Sequence, residues 1–368
     1  MRSLFATLLL ALVAMPVAAD RASGTQVESR ASHPFDVNDL VMLDRVSDPQ
    51  IAPDGHYGAF DLRSTDYAAN KGVNAIYVQD LSSSGSPSVK VVPKGASSPR
   101  WSVDVRSLYY LAAADGVTQL WRLDFPKGIN LSSVVSPVQV SHSQLDIDSF
   151  KLSPDGKSVL LSYAVFTDCS DLACTKERLD GRSKDKSSGT VYQRLFVRHW
   201  DTWSDGRRSQ LYIARFGADG TLPVEPTLLT RGIDGDVPSK PFGDDSEFAF
   251  SPDGKTVYFD VRIAGGGESW STNFDVYKVA ADGSSAPHNL TAENLAWDAY
   301  PVPSPDGRTL FYLSMKTPAF EADRFAIMAL DLSTGAKREV DPLWDRSPSG
   351  MQVAPGGKTL LVTADDEG

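Results

Sequence analysis

An aspartate recurs along this chain in a short motif, and its carboxylate is the repeated group most able to do chemistry. The motif reads A-P-D-G or S-P-D-G at Asp54, Asp155, Asp253 and Asp306. If these carboxylates converged in space, they would form a ring able to bind a cation. Pro, however, suits position i+1 of a type I turn, Asp suits i+2, and Gly takes the following positive-φ position. Degenerate copies lose Pro or Asp and keep the turn, so we interpret the motif as a hairpin turn.

Motifs for nucleophilic or metal-dependent catalysis are missing from the sequence. An α/β-hydrolase needs G-x-S-x-G before a helix, and the nearest stretch, "GESWS" at 267–271, lacks the final Gly. The five histidines do not have zinc-ligand spacing, and no glycine-rich phosphate loop is present. We therefore predict no catalytic residue, no metal site and no cofactor in this chain.

Two further stretches are dense in side chains able to bind a ligand. The first, at 232–248, holds five carboxylates but lacks the spacing of an EF-hand, so we predict a solvated connection. The second, "FVRHWDTWSDGRR" at 196–208, holds Trp200 and Trp203. We interpret these two rings as an aromatic pair packed between repeat units.

The two cysteines, Cys169 and Cys174, are predicted to form a disulfide that closes a small loop. Free thiols are the alternative. A zinc site is not supported, because no further Cys or His lies within twenty residues on either side.

Residues 1–19 have the pattern of a secretory signal peptide. Arg2 supplies the positive region, residues 4–15 the apolar core, and Val17-Ala18-Ala19 a small-residue cleavage site. The sequence therefore predicts a secreted or periplasmic protein without a membrane span in its mature form, with a retained N-terminal anchor as the alternative. The net charge of −11 argues against nucleic acid as a partner, since an acidic surface repels phosphate.

The period of the turn motif predicts the fold. Including the degenerate copies, successive turns are 48 to 53 residues apart, at positions 54, 104, 155, 205, 253, 306 and 356. Each turn lies between apolar segments with strand alternation, and a unit of fifty residues holds about four strands. Such units bury their faces by radial stacking, which indicates an all-β propeller of about seven blades, the last incomplete, with eight possible in a longer chain.

Two regions fall outside this repeat. Residues 20–46 are predicted to be an N-terminal extension with a short helix, capped by Asp36 and ending before Pro49; the propeller is expected over 47–368. Residues 166–190 are predicted to be a long polar loop inserted in the third unit, with its base held by the disulfide.

Four stretches together resemble the propeller of exported bacterial peptidases of the prolyl oligopeptidase family, in the dipeptidyl or acylaminoacyl peptidase branch. They are "DLVMLDRVSDPQIAPDG", the repeated turns, "RHWDTWSDGRRSQLY" and "DGDVPSKPFGDDSEFAFSPDGKTVYF". TolB-like propellers share the repeats but not the other stretches. A TolB-like periplasmic propeller acting as a protein-binding scaffold is the alternative function.

The resemblance implies a propeller that covers the active site of a following α/β-hydrolase domain and filters peptide substrates. In such proteins the hydrolase domain carries the serine, aspartate and histidine of the catalytic triad. We expect this chain to be a propeller truncated before that domain and inactive alone. Acidic residues on propeller insertions bind the substrate amino terminus in related dipeptidyl peptidases, which makes Glu177 a candidate substrate-binding residue.

Overall fold

The structure is a computed structural model that describes residues 33–125, 129, 131, 136–192 and 195–366. The predicted signal peptide, residues 1–19, lies outside these residues. The chain divides into two compact units, Met1–Met42 and Leu43–Gly368. In the described part of the chain, no helix is long and apolar enough to cross a membrane.

The first unit contains one short helix, α1 (Val37–Met42). Asp36 caps it, since its Oδ1 accepts hydrogen bonds from the backbone N–H groups of Asn38 (2.7 Å) and Asp39 (3.1 Å). The predicted helix is longer than the observed one. Val46 and Pro49 belong to the first strand instead, because that strand pairs with the next one from Arg45 onward, and pairing along a sheet overrides local helical periodicity.

The second unit is built of antiparallel sheets, each formed by strands close in sequence. Sheet 1 contains β1 (Arg45–Ile51), β2 (Tyr57–Asp66), β3 (Lys71–Asp80) and β4 (Val89–Val92). Sheet 2 contains β5 (Ala96–Trp101), β6 (Ser107–Ala114), β7 (Val117–Asp124) and β8 (Val138–Gln139). Sheet 3 contains β9 (Ser149–Leu152), β10 (Ser158–Val165), β13 (Arg208–Arg215) and β14 (Thr227–Leu228).

The later sheets repeat this plan. Sheet 4 contains β15 (Phe248–Phe250), β16 (Thr256–Arg262), β17 (Phe274–Ala280) and β18 (His288–Asn289). Sheet 5 contains β19 (Asp298–Pro303), β20 (Thr309–Ser314), β21 (Ala326–Asp331) and β22 (Lys337–Val340). Sheet 6 consists of β23 (Pro348–Val353) and β24 (Leu360–Ala364) within the described residues. The all-β prediction is confirmed.

Apolar side chains are buried between consecutive sheets. Four clusters lie between sheets 1 and 2, 2 and 3, 3 and 4, and 4 and 5. Leu108, Leu161 and Phe259, for example, are at most 1% exposed. Sheets 2 to 4 therefore bury both faces against their neighbours, which is the packing of propeller blades.

The repeated motif forms the turn between the first and second strand of each sheet. In sheet 4, Ser251 Oγ donates to Asp253 Oδ1 (2.6 Å), and the same carboxylate oxygen accepts from Lys255 N–H (3.1 Å). Gly254 follows at φ +70°. Asp155 and Asp306 make the same bonds in sheets 3 and 5. The interpretation of the motif as a turn is confirmed.

The prediction of seven units needs one correction. The described residues form five four-stranded sheets and the two-stranded sheet 6, besides a two-stranded hairpin within residues 198–203. The turn at Asp205 precedes β13, the third strand of sheet 3, and does not open a sheet of its own. Asp205 resembles the motif because its Oδ1 accepts a hydrogen bond from Arg207 N–H (3.0 Å), as the motif aspartates do from the residue two positions later. The wide interval between Asp155 and Asp253 is caused by a long insertion between β10 and β13.

This insertion is more structured than the predicted polar loop. It contains α2 (Leu172–Ser183) and a small hairpin of β11 (Arg198–His199) and β12 (Thr202–Trp203). Asp171 caps α2 by accepting from Cys174 N–H (2.8 Å). Leu172 is 1% exposed and belongs to the cluster between sheets 2 and 3, so the helix is anchored to the blades.

Candidate functional site

A polar cavity of about 670 Å³ lies among the first strands of sheets 1 to 3. Its lining comes from β1, β2, β5, β9, β10, the start of β13 and the segments before β9 and before sheet 4. We call residues 237–245 the wall segment, because most of them form one side of the cavity. Residues distant in sequence therefore meet in this cavity.

Arg100 links three of these elements. Its Nη1 donates to Asp48 Oδ2 (2.6 Å), while Nε and Nη2 donate to the two carboxylate oxygens of Asp245 (3.1 and 2.8 Å). Asp48 is on β1, Arg100 on β5, and Asp245 ends the wall segment before sheet 4. Burial by itself lowers the pKa of Arg100, but Asp245 and Asp48 raise it above its usual value.

Lys151 extends this network to sheet 3. Its Nζ donates to the backbone carbonyl oxygens of Asp245 and Phe248 (2.6 Å to the latter). Burial lowers the pKa of Lys151. Burial also tends to raise the pKa of Asp245, yet Lys151 and Arg100 outweigh this effect and hold it below its usual value. We call Asp48, Arg100, Lys151 and Asp245 the Arg100 network.

Asp61 on β2 lines the cavity and is 7% exposed. Its Oδ2 accepts from Ser98 N–H on β5 (3.1 Å), at a bulge where Ser98 has φ +59°. Its Oδ1 is buried and has no hydrogen-bond partner among the described residues. Burial raises the pKa of Asp61 to about 6.

Glu247 holds the wall segment in place. Its two carboxylate oxygens accept from Ser239 N–H (2.6 Å) and Ser239 Oγ (2.7 Å). Glu247 is 5% exposed, and burial raises its pKa to about 7. Asp260 is also buried, and it lies close enough to Glu247 for the two negative charges to repel each other. The pKa of Asp260 is raised mainly by burial and, to a smaller extent, by Glu247.

The acidic stretch at 232–248 was predicted to be solvated, and that prediction is wrong. Besides Glu247 and Asp245, Asp236 is bonded on both oxygens, to Ser209 N–H (2.7 Å) and Arg208 Nη1 (2.9 Å). Arg208 also makes two bonds to Glu268 (2.8 and 2.6 Å). Arg100 and Arg208 on other strands pair with Asp245 and Asp236, and sequence spacing does not show these pairs.

The aromatic stretch was predicted to pack between units, and this is also wrong. Trp200 and Trp203 are 75% and 59% exposed. The ring centroid of Trp200 lies 6.5 Å from that of Phe242, which is 76% exposed and belongs to the wall segment. We call Trp200 and Phe242 the aromatic lip, since Pro241 and Gly243 on either side of Phe242 line the cavity.

The residues singled out from the sequence lie elsewhere. Glu177 is exposed on α2 and does not line the cavity, so its role stays a prediction. Cys169 and Cys174 are joined by a disulfide with Cα atoms 5.6 Å apart. Arg100 and Asp61 were not identified from the sequence. Each is a charged residue inside an apolar strand segment, in "SSPRW" and "GAFDLRS", and this position could have indicated a functional or structural role.

Proteins similar to this chain in sequence are dipeptidyl peptidases, although no family model matches it. Dipeptidyl-peptidase 5 of Porphyromonas gingivalis is 26% identical over 327 residues, which cover 88% of this chain and 45% of that protein. A probable dipeptidyl-peptidase 5 of Emericella nidulans is 32% identical over 199 residues, covering 50% of this chain and 27% of the relative. The chain thus spans less than half the length of these relatives.

Solved structures show the same fold. Acylaminoacyl peptidase of Pyrococcus horikoshii matches with a TM-score of 0.60 at 14% identity, over 89% of this chain and 44% of that one. The β-propeller domain of the Trilobed protease from Pyrococcus furiosus matches with a TM-score of 0.52 at 14% identity, over 88% of this chain and 80% of that one.

The fold is therefore a β-propeller of the kind present in these peptidase structures. The chain is similar in sequence to dipeptidyl peptidases over less than half of their length, and the similarity corresponds to a peptidase propeller portion.

Glu247 generates a prediction on stability and pH. Since its pKa is raised to about 7 in the folded protein, the stability it contributes is full below its usual pKa and is lost as the pH rises through 7. Glu247→Gln cannot ionise and should therefore be more stable than the unmodified protein at pH 8, on the order of 2 kcal/mol, with a smaller difference at pH 5.

Urea unfolding at the two pH values measures this difference. Glu177→Gln, on the exposed face of α2, is the control. Its stability relative to the unmodified protein should be the same at pH 5 and pH 8. A Glu247→Gln variant whose stability relative to the unmodified protein is the same at pH 5 and pH 8 would contradict the assignment.

Proposed function

We propose that this chain is the substrate-selecting propeller of a secreted or periplasmic serine exopeptidase that acts on peptides. The observation that carries the proposal is the similarity to dipeptidyl-peptidase 5 along 88% of the chain. The hydrolytic serine, aspartate and histidine would belong to a further domain outside these 368 residues, because the 368 residues contain no G-x-S-x-G motif.

The cavity supports a selecting role by its size and lining. A volume of about 670 Å³ accommodates a few amino-acid residues rather than a folded protein. Its charged lining replaces part of the hydration of a polar peptide. The Arg100 network fixes the first strands around this space, so the cavity acts as a pre-formed opening that admits short, extended peptides.

Hydrolysis assays test the peptidase part of the proposal. The chain alone should not release chromophore from dipeptidyl or acylaminoacyl p-nitroanilides. If the reading frame continues past Gly368, the longer product should contain G-x-S-x-G before a helix and should hydrolyse these substrates until a serine-reactive inhibitor is added. Inhibitor-sensitive turnover by the chain alone, or a continuing frame without that motif, would contradict the proposal.

Selection by the cavity is tested in the longer product with Ala164→Trp. Ala164 on β10 lines the cavity, so an indole there should lower kcat/KM for tetrapeptide substrates about tenfold and leave a small p-nitrophenyl ester nearly unaffected. Ala113→Trp is the matched control, because Ala113 is at the corresponding seventh position of β6 and does not line the cavity. Equal losses on both substrates would exclude a selecting role.

A further inference from the structure

The cavity contains more carboxylates than its cations neutralise. Its basic side chains already have acidic partners: Arg100 in its network, Arg207 with Asp205 (2.7 Å), and Lys240 with Asp236 (3.9 Å). Four lining carboxylates have no Lys, Arg or His within 4.0 Å among the described residues. They are Asp61, Asp146, Asp148 and Asp244.

The buried carboxylate of Asp61 is an independent indication of a ligand. The scaffold accounts for one of its oxygens, since the bond to Ser98 N–H supports the bulge in β5. Asp260 makes the equivalent bond to Tyr300 N–H (2.8 Å), at a bulge in β19 where Tyr300 has φ +56°. The scaffold leaves Oδ1 of Asp61 unpaired among the described residues, and burying an unpaired carboxylate is unfavourable.

Not every sheet has an acid at this position. Asp61 and Asp260 are the fifth residues of the second strands in sheets 1 and 4, where sheets 2 and 5 have Leu111 and Leu313. A second cavity-lining atom, Ser149 Oγ, is likewise buried without a partner in the described part of the chain. The cavity wall therefore offers two unused acceptors beside its excess negative charge.

The arrangement fits an organic cation better than a metal ion. Calcium needs six to eight oxygen ligands at 2.3–2.6 Å. Among the described residues, no three carboxylates of this cavity have oxygens within 4.8 Å of one another. Carboxylates spread over about 670 Å³ match a long side chain with a charged end, and the exposed rings of the aromatic lip offer faces for cation–π contact.

We propose that this cavity binds the cationic side chains of basic peptides, with Asp61 as the carboxylate that receives the ammonium or guanidinium group and Asp148 as a further acidic group of the lining. This deepens the proposed function and rests on it only in taking the ligand to be a peptide. Asp148 is exposed, lines the cavity and forms no salt bridge within 4.0 Å among the described residues. Burial raises the pKa of Asp148, while Lys240 and Arg207 act against this rise.

Calorimetric titration of this chain with three blocked or unblocked peptides tests the proposal. Acetyl-Gly-Arg-Gly-amide carries only a side-chain cation, its citrulline counterpart is nearly isosteric and neutral, and Gly-Gly-Gly-amide carries only an amino-terminal ammonium. The arginine peptide should bind at least tenfold more tightly than the citrulline peptide. Equal affinity of these two, or tighter binding of Gly-Gly-Gly-amide than of the arginine peptide, overturns the proposal.

Asp61→Asn removes the charge and keeps an oxygen able to accept from Ser98. It should weaken binding of the arginine peptide at least tenfold. Asp260→Asn is the matched control, because Asp260 makes the same bulge bond and does not line the cavity. This variant should bind the arginine peptide with the affinity of the unmodified protein. Equal affinities in the two variants would overturn the role of Asp61.

Circular dichroism establishes whether both variants fold. If Asp61→Asn does not fold, Asp148→Asn at the exposed carboxylate becomes the deciding variant and should show the same tenfold loss; unchanged affinity there overturns the proposal. Because binding needs no catalytic serine, a failure of these titrations is distinguishable from a failure of the hydrolysis assays.

Discussion

The partly buried guanidinium of Arg100 is the constraint on which the cavity depends. Its five donors form a planar fork, and in this protein the fork joins β1 and β5 to the residues that precede sheet 4. Apolar clusters hold neighbouring sheets together, but apolar contacts alone do not define the positions of the first strands relative to one another. Arg100 and Lys151 supply that specificity, because a buried charge is tolerated only where its partners are correctly placed.

A second constraint is the use of carboxylates to support bulges. Asp61 and Asp260 each satisfy a backbone N–H in the next sheet, at residues with positive φ. These bonds position the first strands of sheets 2 and 5 relative to the preceding sheet. In sheet 1 the same carboxylate also borders the cavity, so one residue contributes both to blade packing and to the charge of the site.

Much of the fold could be predicted from the sequence, since turns such as "SPDGK" at 251–255 use chemistry that is local. The turn at Asp205 was counted as a separate unit because Asp205 satisfies the same local rule inside an insertion. The site was largely missed for a different reason. Arg100 is 52 residues from Asp48 and 145 from Asp245, its two partners, and spacing in one sequence does not report such contacts. The acidic stretch at 232–248 was interpreted as solvated for the same reason.

A double-mutant cycle on Arg100 and Asp245 tests the central claim most directly. Urea unfolding of Arg100→Met, Asp245→Asn and the double variant yields the coupling free energy, and the exposed pair Arg178 and Asp168 serves as the control. We expect a coupling on the order of 2 kcal/mol or more for Arg100 and Asp245 and a much smaller coupling for the exposed pair, because water screens it. A coupling near zero for Arg100 and Asp245 would contradict the account, because the first strands would then be positioned by apolar packing alone.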